Sequence, residues 1–126
     1  MRNDGGGREG ENVLQARSRA FALQVIHLTD SLPRTRTSEV IGRQLLRSAT
    51  SVGANYRAAC RAKSLADFIA KMGIVEEEAD ECLYWLDLLG ESGAIAPDRL
   101  TSLVDEADAL VAMTVASINT AKRRRG

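Results

Sequence analysis

The chain has 126 residues, of which 44% are hydrophobic and 27% charged; this is one domain's length and the balance of a folded soluble protein, not a disordered one. Seventeen Lys plus Arg offset seventeen Asp plus Glu, so no net charge advertises a nucleic-acid or membrane partner. Aromatics at 4% and only two prolines are poor material for a β-sandwich and good material for helices.

Residues 1–10 read as a flexible leader, with Gly5, Gly6, Gly7 and Gly10 crowded together. The stretch from Met1 to Asn12 is polar and does not read as a secretory signal, and no window reaches the roughly 18 apolar residues of a membrane span. A helical pattern then begins, in which Val13, Ala16, Ala20, Leu23, Ile26 or His27, and Asp30 follow steps of three and four. Phe21, Val25, Leu28 and Leu32 widen that apolar face, and Pro33 ends the helix because it pushes the preceding residue out of the α region.

Thr37 or Ser38 is placed to cap a second helix running to about Arg61, with Glu39 in its first turn. Ile41, Leu45, Ala49, Val52, Tyr56 and Ala59 fall on one face of it, and Arg43, Arg47, Arg57 and Arg61 on the opposite face. Gly42 and Gly53 cost helix propensity and point to a close helix–helix approach. Ser64 caps a third helix, Asp67 follows in its first turn, and Gly90 is its expected stop near Leu89. Leu65, Phe68, Ile69, Met72, Val75, Ala79, Leu83 and Leu86 form its main apolar stripe, with Ile74, Trp85 and Leu88 roughly opposite. Pro97 lies near the start of a fourth helix, which repeats Leu100, Leu103, Val104, Ala107, Leu110, Val111, Thr114, Val115 and Ile118 at helical spacing. The expected architecture is all-α: an antiparallel up-down-up-down four-helix bundle over residues 11–121 with a basic tail over 122–126.

Charge is distributed unevenly along this bundle. Residues 37–63 hold five basic and one acidic residue, net +4, and residues 64–97 hold one basic and eight acidic, net −7. The second helix is a basic rod and the third an acidic one. The two can neutralise each other within one subunit, or the acidic helix can meet a neighbouring copy's arginines. The third helix has two apolar sides, one for the core and one needing another partner, which makes Ile74, Glu77, Glu78, Glu81, Trp85 and Leu88 an expected oligomer interface. Arg43, Arg47, Arg57 and Arg61, with the Lys122 to Arg125 tail, form the alternative: a phosphate-binding face for RNA or DNA, though no aromatic interleaves it for base stacking.

No cofactor, metal or catalytic site is expected. Cys60, Cys82 and His27 lack ligand-pair spacing, and the two thiols read as reduced core residues of a cytoplasmic protein. Glu77 with Glu81, or Glu76 with Asp80, stand one turn apart, but a dimetal bundle needs paired Glu-x-x-His motifs and the chain has one histidine. Ser48, Thr50, Ser51 and Asn55 have no base at hand, and Asn55 is placed to fix register across an interface or to bond a neighbouring helix's backbone. The chain therefore reads as a non-catalytic oligomeric scaffold or adaptor.

The stretch Gln44-Leu45-Leu46-Arg47-Ser48-Ala49-Thr50-Ser51-Val52-Gly53-Ala54-Asn55-Tyr56-Arg57 resembles the signature of a four-helix-bundle family, the 23S rRNA intervening-sequence protein family. Ser64, Asp67-Phe68-Ile69, Lys71, the Glu76 to Glu81 block and Tyr84-Trp85-Leu86 are similar to its second block. The resemblance covers about Phe21 to Gly93 and implies an antiparallel bundle, a ring-shaped homopentamer and no known enzyme activity. Some relatives, accessory proteins of diversity-generating retroelements, look like nucleic-acid-binding partners of a reverse transcriptase. The chain departs from the family pattern at Ala58, where an acidic residue is usual.

Overall fold

A computed structural model describes residues 6–126, with side chains described from Val13 onward. Four long helices make up the fold: α1 (Gly6–Asp30), α2 (Arg36–Cys60), α3 (Leu65–Glu91) and α4 (Thr101–Arg125). A short 3-10 turn, Pro97–Arg99, leads into α4. Each helix packs on its neighbours in chain order and α4 closes back on α1, while among the described residues the backbones of the diagonal pairs, α1 with α3 and α2 with α4, stay apart. Short connections and this cyclic contact pattern are those of an up-down-up-down bundle.

Local chemistry sets most of the helix ends. The Thr35 side chain accepts a hydrogen bond from the Ser38 amide at 3.1 Å and caps α2. This moves the cap upstream of Thr37 and Ser38, and it leaves Ser38 buried inside the first turn. Ser64 caps α3 as its sequence position suggests, accepting from the Asp67 amide at 3.0 Å. Asp67 then pairs with Lys71 one turn on.

Two ends differ from the sequence expectation. Gly90 does not stop α3; the helix runs to Glu91, and the left-handed residue is Gly93 at φ +82°. Gly90 serves instead as a contact point, where an added Cβ would lie 3.4 Å from Leu100 Cδ1 and 3.8 Å from the Pro97 ring. At the N-terminus α1 already includes residues 6–10, because a nucleated helix extends at small cost per residue; residues 1–5 of the expected leader lie outside the described residues. The expected basic tail is helical to Arg125.

The core confirms α2 and revises α1. Leu45, Ala49, Val52, Tyr56 and Ala59 are all buried, with Ile41 half-buried beside them. In α1 the buried set is Leu14, Ser18, Phe21, Val25 and Leu28. The stripe through Val13, Ala16, Ala20 and Leu23 faces outward. On α3, Cys82 and Leu89 reach the core while Leu83 is half-buried and Leu65 is exposed; of the two cysteines expected in the core only Cys82 lies there, since Cys60, in the last turn of α2, is exposed. The two α2 glycines admit α1 closely: a Cβ on Gly42 would sit 3.0 Å from Leu32 Cδ1, and one on Gly53 would sit 3.5 Å from Ser18 Oγ.

Candidate functional site

The acidic α3 and basic α2 lie side by side, and one carboxylate joins them. Glu81 Oε1 accepts hydrogen bonds from Ser48 Oγ at 2.7 Å, Arg47 Nη2 at 3.1 Å and Trp85 Nε1 at 3.3 Å. Ser48 is buried, so its hydroxyl would be costly to leave unpaired, and Glu81 resolves that cost. The Ser48 hydroxyl and the Trp85 indole hold the Glu81 carboxyl below the usual glutamate range, with the Arg47 charge adding to them against partial desolvation.

Of the two arrangements the charge pattern allows, Arg47 and Glu81 adopt the pairing within one subunit, as an exposed bridge of the kind that contributes about 0–1 kcal/mol. The polar edge of Trp85 turns to Glu81, and its ring, half-buried, packs against the core. Arg43, Arg57 and Arg61 are exposed, and among the described residues no ion pair engages them.

What stays open on α3 is apolar. Ile74 is 43% exposed and Tyr84 57% exposed, with Leu88 half-buried on the same side. Tyr84 meets Trp85 edge to face, ring centroids 5.0 Å apart. Around them stand exposed Glu77 and half-buried Glu78, whose Oε1 is buried without a partner among the described residues. Because Glu81 binds α2, its helical neighbours Ile74, Glu78, Trp85 and Leu88 flank the outer side shared by α2 and α3.

A second open strip was assigned to the core by sequence periodicity. Arg17 donates to Glu106 on α4 through Nε at 2.9 Å and Nη2 at 2.7 Å. Val13 and Ala20 flank Arg17 at four and three residues, so they share its α4-facing flank, and Ala16 and Leu23 lie next to them. Val13 and Leu23 are both about half exposed. Since α1 is diagonal to α3, the α1/α4 side lies opposite the α2/α3 side.

The side chains of Ser48, Thr50 and Asn55 are each engaged within the chain. The Ser48 hydroxyl donates to Glu81, and Thr50 donates to its own helix at the Leu46 and Arg47 carbonyls. Asn55 Nδ2 donates to the Ser51 carbonyl at 2.9 Å, so it bonds its own helix and not a neighbouring one. No cluster of three or more His, Cys, Asp or Glu forms a metal-binding group among the described residues, and no described helix is long and apolar enough to cross a membrane.

The model of the family described as 23S rRNA-intervening sequence protein matches residues 11–116. A solved protein of unknown function from the S23 ribosomal protein family of Bacteroides thetaiotaomicron VPI-5482 is 34% identical, with a TM-score of 0.82, over 87% of this chain and 98% of that one. No curated protein matches the chain.

Proposed function

The chain belongs to the 23S rRNA-intervening sequence protein family, and on that footing we propose that it is a non-catalytic scaffold whose working form is a ring of identical copies. Each copy docks its α2/α3 side, through Ile74, Tyr84, Trp85 and Leu88, onto the α1/α4 side of the next, through Val13, Ala16, Ala20 and Leu23. The acidic Glu77, Glu78 and Glu81 border the contact.

The observation that carries this reading is the open apolar surface of Ile74 and Tyr84 on one side, matched by a different apolar strip on the opposite side. Unlike surfaces on opposite sides pair head to tail, and head-to-tail pairing closes into a ring when the rotation permits. The family resemblance supplies the copy number, five. The scaffold serves as a platform for a partner and has no reaction of its own.

Multi-angle light scattering at micromolar concentration tests the assembly. The expected mass is a multiple of the 13.6 kDa chain, five copies for the pentamer. A mass of one chain across the accessible concentration range overturns it.

A second reading, binding of RNA or DNA, is favoured by the unengaged Arg43, Arg57 and Arg61. It requires a salt-dependent gel shift that weakens when all three are changed to alanine. No shift at low salt rejects it.

A further inference from the structure

At the end of the bundle where α2 runs into α3 there is a cleft of about 600 Å3, within the roughly 300–1,000 Å3 of small-molecule sites. Its floor is formed by Leu14, Tyr56 and Ala59, all buried. Phe68 and Met113 line it from α3 and α4, and Leu65 forms an exposed apolar lip. Among the described residues the charged groups lining it are Lys63 and Arg124, and no carboxylate does. Neither cation forms an ion pair among the described residues; Asp67 pairs with Lys71, and the charge of Lys63 acts on the same carboxylate from farther off. The positive character extends beyond the cleft, since Lys122, Arg123 and Arg125 occupy the last turn of α4.

From an apolar floor, an apolar lip and two lining cations that form no ion pair among the described residues, we infer that this cleft binds the chain of a single-tailed anionic amphiphile, with its head group held by Lys63 and Arg124. The apolar walls take the tail, where each added methylene tightens binding about fourfold. The cations select the head group. A fatty carboxylate and an alkyl phosphate share this chemistry, and the experiment separates them.

The test is isothermal titration calorimetry of the intact chain with octanoate, decanoate, decyl phosphate and decanol, all below their aggregation concentrations. Saturable binding is expected for the two decyl anions, with the carboxylate and the phosphate ranked by their affinities, octanoate weaker than decanoate by about 10-fold or more, and decanol weaker than decanoate. Lys63→Ala with Arg124→Ala lowers anion affinity about 10-fold or more and leaves decanol binding unchanged. Ala116→Trp, which adds bulk at an exposed position lining the cleft, abolishes binding of all four while helical circular dichroism is retained. Cys60 also lines the cleft and is exposed, so bound decanoate slows its alkylation. Absence of saturable heat, or affinity independent of chain length, overturns the inference. So does a fall in assembly mass as decanoate is added, which would show the cleft to be covered by a second copy.

Discussion

The double variant Ile74→Ser/Tyr84→Ser separates assembly from folding. Full burial of an isoleucine side chain is worth about 1.5–3 kcal/mol, so the 43% of Ile74 left open holds back about 0.6–1.3 kcal/mol. A tyrosine buries about 150–250 Å2 at about 25 cal/mol per Å2, so the 57% of Tyr84 left open holds back about 2–3.5 kcal/mol. A docked copy that covers half of this surface gains about 1.3–2.4 kcal/mol from the two residues, or about 10- to 50-fold in affinity per interface. Within the subunit the variant loses the edge-to-face contact of Tyr84 with Trp85, a cost of about 1 kcal/mol. Sedimentation equilibrium over a hundredfold range of concentration reads the assembly constant, and thermal unfolding followed by circular dichroism reads the fold. Dissociation at concentrations where the parent is assembled, with helicity retained, is the expected outcome. An assembly curve that superimposes on the parent's would refute the reasoning.

Other consequences follow from the same structure. Ser48→Ala removes a charge-assisted hydrogen bond to a partly exposed Glu81, a loss of about 1–2 kcal/mol in denaturant unfolding, and it returns the Glu81 titration toward the ordinary glutamate range. In the parent, the lowered Glu81 value contributes stability above the unfolded glutamate pKa that disappears as pH falls through the folded value; an ordinary Glu81 titration by NMR would contradict this. Iodoacetamide should label Cys60 and spare Cys82, whose thiol is pushed up to about 12 by burial and by the charges of Glu78 and Glu81. A raised thiol value contributes stability that is complete below the unfolded pKa of about 8.5 and is lost as pH rises toward about 12, so equal native labelling of both cysteines would refute the burial. Gly73→Ala should stabilise by about 0.5–1 kcal/mol, since its Cβ meets nothing within 4 Å and alanine favours helix. Gly93→Ala should instead destabilise by about 1 kcal/mol or more at φ +82°. Thermal shifts of opposite sign check the pair.

The α2 face was legible because its large apolar residues and its arginines separate cleanly around one helix. The α1 face was not, because alanines and aliphatic residues lie on both sides and the true core face includes the polar Ser18. A hydroxyl that bonds its own helix, as Ser18 Oγ does to the Gln15 carbonyl, is cheap to bury, so polarity alone misplaces it. The open apolar side of α3 could be read from Ile74 and Leu88, which the periodicity sets apart from the core stripe. The Glu81 hub could be read only in part: Glu81 and Trp85 are one turn apart, but the tie to Ser48 crosses two helices and leaves no local signal. Gly90 was the expected stop, but it lies in the helix against Pro97 and Leu100, a tertiary contact that leaves no local signal.

Bismaleimide cross-linking between two populations of the chain tests the head-to-tail pairing most directly. Both carry Cys60→Ser; one also carries Leu23→Cys and the other Ile74→Cys. After mixing and exchange, peptide mass spectrometry should find position 23 of one copy joined to position 74 of another. Cross-links joining only identical positions, or none above the level seen with monomeric concentrations, would contradict the pairing of unlike sides.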